Sequence, residues 1–308
     1  MGTILITTSS FAAGTPELLD DLKDRGFPYV LNPYGRVLTG DELVGLLDRH
    51  RPVGILAGTE RIDGAVLGAA KDHLRVISRV GVGWDNVDLA AAAALGIRVY
   101  RTEHVLTQAV AELTLGMILS ALRNLAGHDR RLREARWQKQ MGSLLAGKLL
   151  GIIGFGAIGQ RVGTLARTFG AEVIYYDPCP QAAVTWAGPV SRAELMERAE
   201  IISLHAGGRE VIMGDGELKS CRRGVILINT ARGTLVDERA LVRHLASGQV
   251  GFACLDVFEQ EPYAGPLLAF DNVLLTPHIG SYAREARAEM ESRALANLYR
   301  GLKETGCL

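Results

Sequence analysis

The chain carries no excess of either charge, no cysteine framework and no long apolar run, and each absence removes a class of protein. Lys and Arg number 34 and Asp and Glu number 34. That balance gives no global electrostatic reason to expect nucleic acid or an anionic membrane as partner. Four cysteines, Cys179, Cys221, Cys254 and Cys307, form no C-x-x-C pair and no metal-ligand spacing. No metal site and no disulfide scaffold are expected, and a reducing, cytoplasmic setting is the natural reading. Met1 to Ile6 lacks the basic region and long apolar stretch of a signal peptide. The most apolar helical stretch, Leu113–Leu122, is too short and too polar at its flanks to span a bilayer. Aromatic residues make up only 6%, beside 48% hydrophobic and 22% charged, which is ordinary globular composition. There is no internal repeat, low-complexity tract or Pro/Ser-rich linker.

What is present is an alternation of strand and helix along the whole length, the mark of an α/β architecture. Gly2–Thr7, Val53–Leu56 and Val76–Ser78 read as buried strands. Helical stretches over Pro16–Arg25, Gly40–Arg49 and Ala65–His73 separate them. A short strand at Ile97–Tyr100 precedes a long apolar helix from Ala109 to Leu125. Two domains are expected: residues 1–99 with 282–308, and residues 100–281. The final helix, Arg284–Thr305, has no strand after it and is expected to return to the first domain.

In the middle stands a glycine-rich turn, Gly154-Phe155-Gly156-Ala157-Ile158-Gly159. A short apolar run that reads as a buried strand, Lys148–Ile153, leads into it, and helical spacing follows over Gln160–Phe169. A second strand then ends in Asp177, 18 residues after Gly159. Strand, turn, helix, strand and acid in this order are the fingerprint of a dinucleotide site. Gly154 permits the tight turn, Gly156 lets backbone approach a diphosphate, and Gly159 lets helix pack on sheet. The helix N-terminus holds the anion. Asp177 can accept both ribose hydroxyls and would repel a 2′-phosphate, which favours NAD over NADP.

Three polar clusters follow, each after a strand: Asn229–Thr234, Asp256–Pro262 and Thr276–Gly280. They bring Arg232, Glu261 and His278 to the edge where open α/β sheets bind ligands. Hydride transfer to a 2-keto acid needs a cation to hold the carboxylate and polarise the keto oxygen, a role for Arg232. It needs an acid for the developing alkoxide, a role for His278. A carboxylate beside that histidine, Glu261, favours the imidazolium and holds the ring.

With these residues the chain resembles the D-isomer-specific 2-hydroxyacid dehydrogenases. The resemblance covers nearly the whole length and also rests on Ser78–Asp88 and Ala109–Thr114. It implies two Rossmann-like domains, each a doubly wound parallel sheet, with the first flavodoxin-like and an active-site cleft between them. It assigns Arg232, Glu261 and His278 the roles given above. It places the loop Gly81-Val82-Gly83 on the substrate carboxylate and puts Ala157, Ile158, Thr230, Asp256 and Gly280 around NAD. It further implies a homodimer acting on a small D-2-hydroxy or 2-keto acid, with or without a distal anionic group. The alternative on the same fold is an NAD(H)-sensing interaction protein of the corepressor type.

Three segments depart from the family pattern. Ala206–Glu210 is shorter than the usual proline-containing loop, which leaves the adenine-side contacts, and Arg209, open. The stretch ahead of the long helix reads Arg101-Thr102-Glu103-His104-Val105-Leu106 and lacks the usual proline. Arg101 or His104 there is either a surface residue or a contact for a distal anion. Ala57 stands where phosphoglycerate enzymes tend to carry an arginine, with Arg61 nearby as a substitute.

Overall fold

The computed structural model describes residues 2–103, 105–179 and 184–308. They form two compact units, Met1–Leu106 with Ser281–Leu308, and Thr107–Gly280. In the first unit lie β1 (Ile4–Ile6), α1 (Glu17–Asp24), β2 (Tyr29–Leu31), α2 (Gly40–His50), β3 (Gly54–Ala57) and α3 (Gly64–Ala70). Then come β4 (Val76–Arg79), α4 (Leu89–Ala94) and β5 (Arg98–Arg101), and α11 (Arg284–Glu304) completes the unit from the far end of the chain. The sheet is parallel with order β2-β1-β3-β4-β5, the flavodoxin-like winding.

Strands β1, β3 and β4 are buried at every residue because helices cover both faces. The period of two divides their side chains. Ile4 and Ile6 join Leu295, Leu298 and Leu302 of α11 on one face. Leu5, Ile55 and Ile77 join Leu43, Leu47 and Leu67 on the other. Gly301 brings α11 close: a Cβ there would lie 2.7 Å from a Val76 methyl and from the Tyr100 ring.

The second unit begins with α5 (Thr107–Arg123) and α6 (Leu125–Arg133). It continues through β6 (Leu149–Ile153), α7 (Ala157–Thr168), β7 (Glu172–Tyr176), β8 (Gly188–Pro189), α8 (Arg192–Arg198) and β9 (Ile201–Leu204). It ends with α9 (Asp215–Ser220), β10 (Val225–Asn229), α10 (Glu238–Ala246), β11 (Val250–Leu255) and β12 (Val273–Leu275). The order β12-β11-β10-β9-β6-β7-β8 is that of a dinucleotide-binding doubly wound sheet with one extra strand. Its strand order reverses between β6 and β9.

The helix expected over 109–125 is broken. Asn124 adopts a left-handed conformation (φ 44°, ψ 48°), ends α5 and starts α6 in a new direction. Its side chain fills the space beside Gly127, where a Cβ would clash with it. Among the described residues no single helix is long and apolar enough to cross a membrane. The bent pair α5–α6 meets that test by length and composition only, and α5 is a core helix with Val110, Ala111, Leu115, Met117 and Ile118 buried.

Candidate active site

The glycine turn sits at the switch point of the second sheet. Gly154 has φ +89°, and a Cβ on it would overlap the backbone of His205 and Ala206 at the end of β9. A Cβ on Gly159 would overlap the carbonyl oxygen of Gly154. Protein packing therefore accounts for these two glycines. It does not account for Gly156, whose Cβ would meet nothing within 4 Å. Gly156 caps α7, so the path to the first helical N–H groups, at Ala157 and Ile158, is kept clear of side chains. That cradle fits a diphosphate. Asp177, just after β7, accepts the Phe155 N–H at 2.7 Å on one oxygen and the Cys179 N–H at 2.9 Å on the other. Lone pairs remain on both oxygens for ribose hydroxyls.

Parallel strands deliver the next three groups to the C-terminal edge of the same sheet. After β10, the buried Asn229 holds its own loop: Oδ1 accepts the Ala231 N–H at 3.0 Å and Nδ2 donates to the Arg232 carbonyl at 2.8 Å. Thr230 and Thr114 join their hydroxyls at 2.9 Å. Thr114 gives its one proton to the Val110 carbonyl (2.8 Å), so Thr230 is the donor between them. Arg232 donates from Nη1 to the Ala231 carbonyl at 2.7 Å. The next residue, Gly233, lies against the Phe258–Glu259 backbone so closely that a Cβ would overlap it.

After β11, Asp256 is buried and its carboxylate is taken up by the following loop. Oδ1 accepts Thr276 Oγ1 at 2.6 Å and the Ile279 N–H at 2.7 Å, and Oδ2 accepts the Gly280 N–H at 2.8 Å. After β12, His278 adopts φ +55°, and its N–H donates to the Asp256 carbonyl at 2.9 Å. In this conformation its Nδ1 lies 2.9 Å from Glu261 Oε2. The other oxygen of Glu261 accepts the Phe258 N–H at 3.1 Å.

Burial alone would push the Glu261 carboxyl up. Its hydrogen bond to His278, the charge of that ring, the Phe258 N–H and Arg232 outweigh burial and hold it below its ordinary 4.5. An ionised carboxylate only accepts, so Nδ1 must carry a proton. Proton exchange is thereby confined to Nε2 of a ring that stays 42% exposed. The second histidine at this sheet edge, His205, is different. Burial drives it down to about 3, and its Nε2 pairs with Ser203 Oγ at 2.8 Å, so it stays neutral.

In the first unit, the loop Gly81-Val82-Gly83 follows β4. Gly81 has φ +153°, and Thr102 ties it at both backbone atoms: the Gly81 N–H donates to Thr102 Oγ1 and the Thr102 N–H to the Gly81 carbonyl, each at 3.0 Å. Among the described residues the N–H groups of Val82 and Gly83 have no hydrogen-bond partner. Arg61 is 82% exposed and 3.3 Å from Asp63. Arg101 pairs with Glu103 and stacks 4.0 Å from the centre of the Trp84 ring. His104 lies outside the described residues.

Residues 115–280 match the family model "D-isomer specific 2-hydroxyacid dehydrogenase, NAD binding domain". The chain is 38% identical to a glyoxylate reductase of Aeropyrum pernix, over 78% of this chain and 76% of that one. The chain belongs to the D-isomer specific 2-hydroxyacid dehydrogenases. It is also 35% identical to a hydroxypyruvate reductase of Thermotoga maritima, over 86% of this chain and 89% of that one. A solved Thermus thermophilus protein superposes with a TM-score of 0.90 at 35% identity, covering 98% of this chain and 97% of its own. The protein is thus an NAD-dependent D-2-hydroxyacid dehydrogenase with two Rossmann-like domains.

Asn229 and Gly233 received no individual role from the sequence of this dehydrogenase. Their only linear signal is a place beside Arg232; their function depends on what the next loop brings against them. Replacing Gly233 by Ala pushes the Arg232 loop away from the loop carrying Glu261. The reductive rate should fall about 100-fold, as for a misplacement near 1 Å, while NADH affinity changes less; single-turnover and binding measurements separate the two. A second outcome concerns pH. The Glu261 carboxyl is depressed, so its contribution is present above its ordinary 4.5 and lost only as pH falls through the lower folded value. Initial reductive rates should show no acid limb above about pH 5, and an acid limb at about pH 6 would contradict this assignment.

Proposed function

We propose that this dehydrogenase reduces small 2-keto acids of glyoxylate or hydroxypyruvate size to the D-2-hydroxy acids. The observation that carries the reading is the Glu261–His278 pair, set at a strand end beside the Arg232 loop. Residues 107–280 serve as the NAD-binding domain and the first unit as the substrate-binding domain, close to a division at 1–99 with 282–308 and 100–281. Gly154, Gly156, Ala157, Ile158 and Gly159 hold the diphosphate, and Asp177 takes the adenosine ribose. Thr230, Asp256 and Gly280 border the nicotinamide half, with Asp256 acting through the loop it secures.

Substrate is held by its carboxylate on the N–H groups of Val82 and Gly83. The guanidinium of Arg232 takes the role of polarising the keto oxygen, lowering the cost of negative charge there. Bound nicotinamide supplies the hydride to C2. The proton on His278 Nε2 passes to the resulting alkoxide oxygen, and Glu261 keeps the ring oriented and compensates its charge while protonated. In the oxidative direction Nε2 takes the hydroxyl proton.

A substrate without a distal charge suits the surroundings best, because Arg61 already pairs with Asp63 and Arg101 with Glu103. The phosphoglycerate-like alternative rests on Arg101, whose guanidinium is held in place by Trp84 and could exchange Glu103 for a distal anion. The partner of this chain is a second copy. Leu125, Leu132, Trp137, Met141 and Leu144 are all exposed within one segment, with Trp137 at 80% and Met141 at 97%. So much apolar surface in one segment marks an association face, and two-fold self-pairing is its commonest form. Four free cysteines suit a reducing, cytoplasmic setting.

NADH oxidation across glyoxylate, hydroxypyruvate, pyruvate, oxaloacetate and phosphohydroxypyruvate is expected to favour the first two. Binding of NADH without turnover of any would support the NAD(H)-sensing alternative instead. His278→Ala should lower the reductive rate by about 100- to 10,000-fold, and an unchanged rate removes the role given to that residue. Changing Trp137 and Met141 together to Ser should shift the particle mass from dimer to monomer in light scattering; a wild-type monomer would refute the dimer.

A further inference from the structure

The carboxylate loop of the first unit is built over a buried cation. Arg79 is the last residue of β4 and only 8% of it is exposed. Its guanidinium lies directly under Gly81: a Cβ there would stand 2.5 Å from Nη1 and 2.9 Å from Cζ. Gly81 is therefore required twice, by its φ of +153° and by the arginine beneath it. Nη1 donates to the Val80 carbonyl, which precedes the loop. Nε is 3.4 Å from Asn86 Oδ1, at the loop's far end. Asn86 in turn donates from Nδ2 to the Glu60 carbonyl at 2.7 Å and the Gly58 carbonyl at 3.3 Å. Thr102 fixes Gly81 from the other side.

Removing a guanidinium from water is costly, and an apolar side chain of similar volume is commonly as stable or more so. A buried arginine at this point thus calls for a reason beyond packing. The loop above it supplies one, because the N–H groups of Val82 and Gly83 have no protein partner among the described residues. Peptide N–H dipoles with a positive charge behind them form an anion receptor stronger than the dipoles alone. We propose that Arg79 is a positioning residue for substrate: it sets the Gly81–Gly83 loop in its carboxylate-binding shape and places positive charge behind the two N–H groups. This rests on the reading that the loop takes the substrate carboxylate.

Substitution tests the proposal in the full-length protein. Arg79→Met should raise KM for glyoxylate about 10- to 100-fold, the range of a lost charge-assisted contact. The kcat at saturating glyoxylate and the Kd for NADH should stay within about threefold. Arg79→Lys keeps the charge but loses the fork that holds Val80 and Asn86, so its KM should lie between those of wild type and Arg79→Met. An unchanged KM in Arg79→Met overturns the proposal, as does a KM in Arg79→Lys at or above that of the neutral variant. Equal losses in kcat, KM and NADH affinity in both variants also overturn it, since they indicate a structural role alone. If the methionine variant does not fold, Arg79→Gln carries the neutral arm, and if neither folds an unchanged KM in Arg79→Lys overturns the proposal. A wild-type protein with no turnover of any 2-keto acid would overturn the functional reading itself, an outcome distinct from turnover with indifferent Arg79 variants.

Discussion

One buried carboxylate organises the C-terminal edge of the second sheet. Asp256 takes three hydrogen bonds from the loop Thr276–Gly280, and its own carbonyl receives the His278 N–H. Hydrogen bonds to an ionised acceptor are roughly twice as strong as neutral ones. They are needed here, because a histidine at φ +55° sits in a sparsely populated backbone region and is kept there only by surrounding contacts. With the loop so held, the imidazole meets Glu261 through Nδ1, and among the described residues Nε2 has no hydrogen-bond partner. Nε2 is positioned through the other atoms of its residue.

A second constraint is proximity between loops. The Asn229 amide shapes the stretch that carries Arg232, and Gly233 lets that stretch lie on the backbone leading to Glu261. Cation, carboxylate and imidazole thus come from three neighbouring strands whose connections touch one another. Movement in one loop is felt by the others, so the three groups behave as a unit.

Much of this architecture can be read in the linear chain because parallel strands covered on both faces are written as short apolar runs. Ile4–Ile6, Val76–Arg79 and Leu149–Ile153 are of that kind. Two of the four edge strands escaped that reading. Tyr29–Leu31 and Gly188–Pro189 lie at the sheet margins, where burial is partial and no such run is needed. The break at Asn124 was also hidden, since apolar periodicity says where a helix faces and not where its axis turns. At the candidate site, Arg232, Glu261 and His278 stand out because each follows a strand. Thr102, Asn229 and Gly233 do not, since what each one touches is remote in sequence or fixed only by folding. The pairing of Arg101 with Glu103 and its stacking on Trp84 are likewise tertiary facts.

The two units differ in when they become complete. Every strand and helix of the second lies within one continuous stretch, Thr107–Gly280. The first is interrupted: its five strands are made before residue 102, yet one face of its sheet is closed by α11, through Met290, Ala294, Leu295, Leu298 and Leu302. During vectorial synthesis, at about 5–20 residues per second, that face waits while the whole of the second unit emerges. The unit whose strands are translated ahead of the other's is finished after it, and an uncovered strip of Ile4, Ile6, Leu56 and Val76 is the price of the discontinuity.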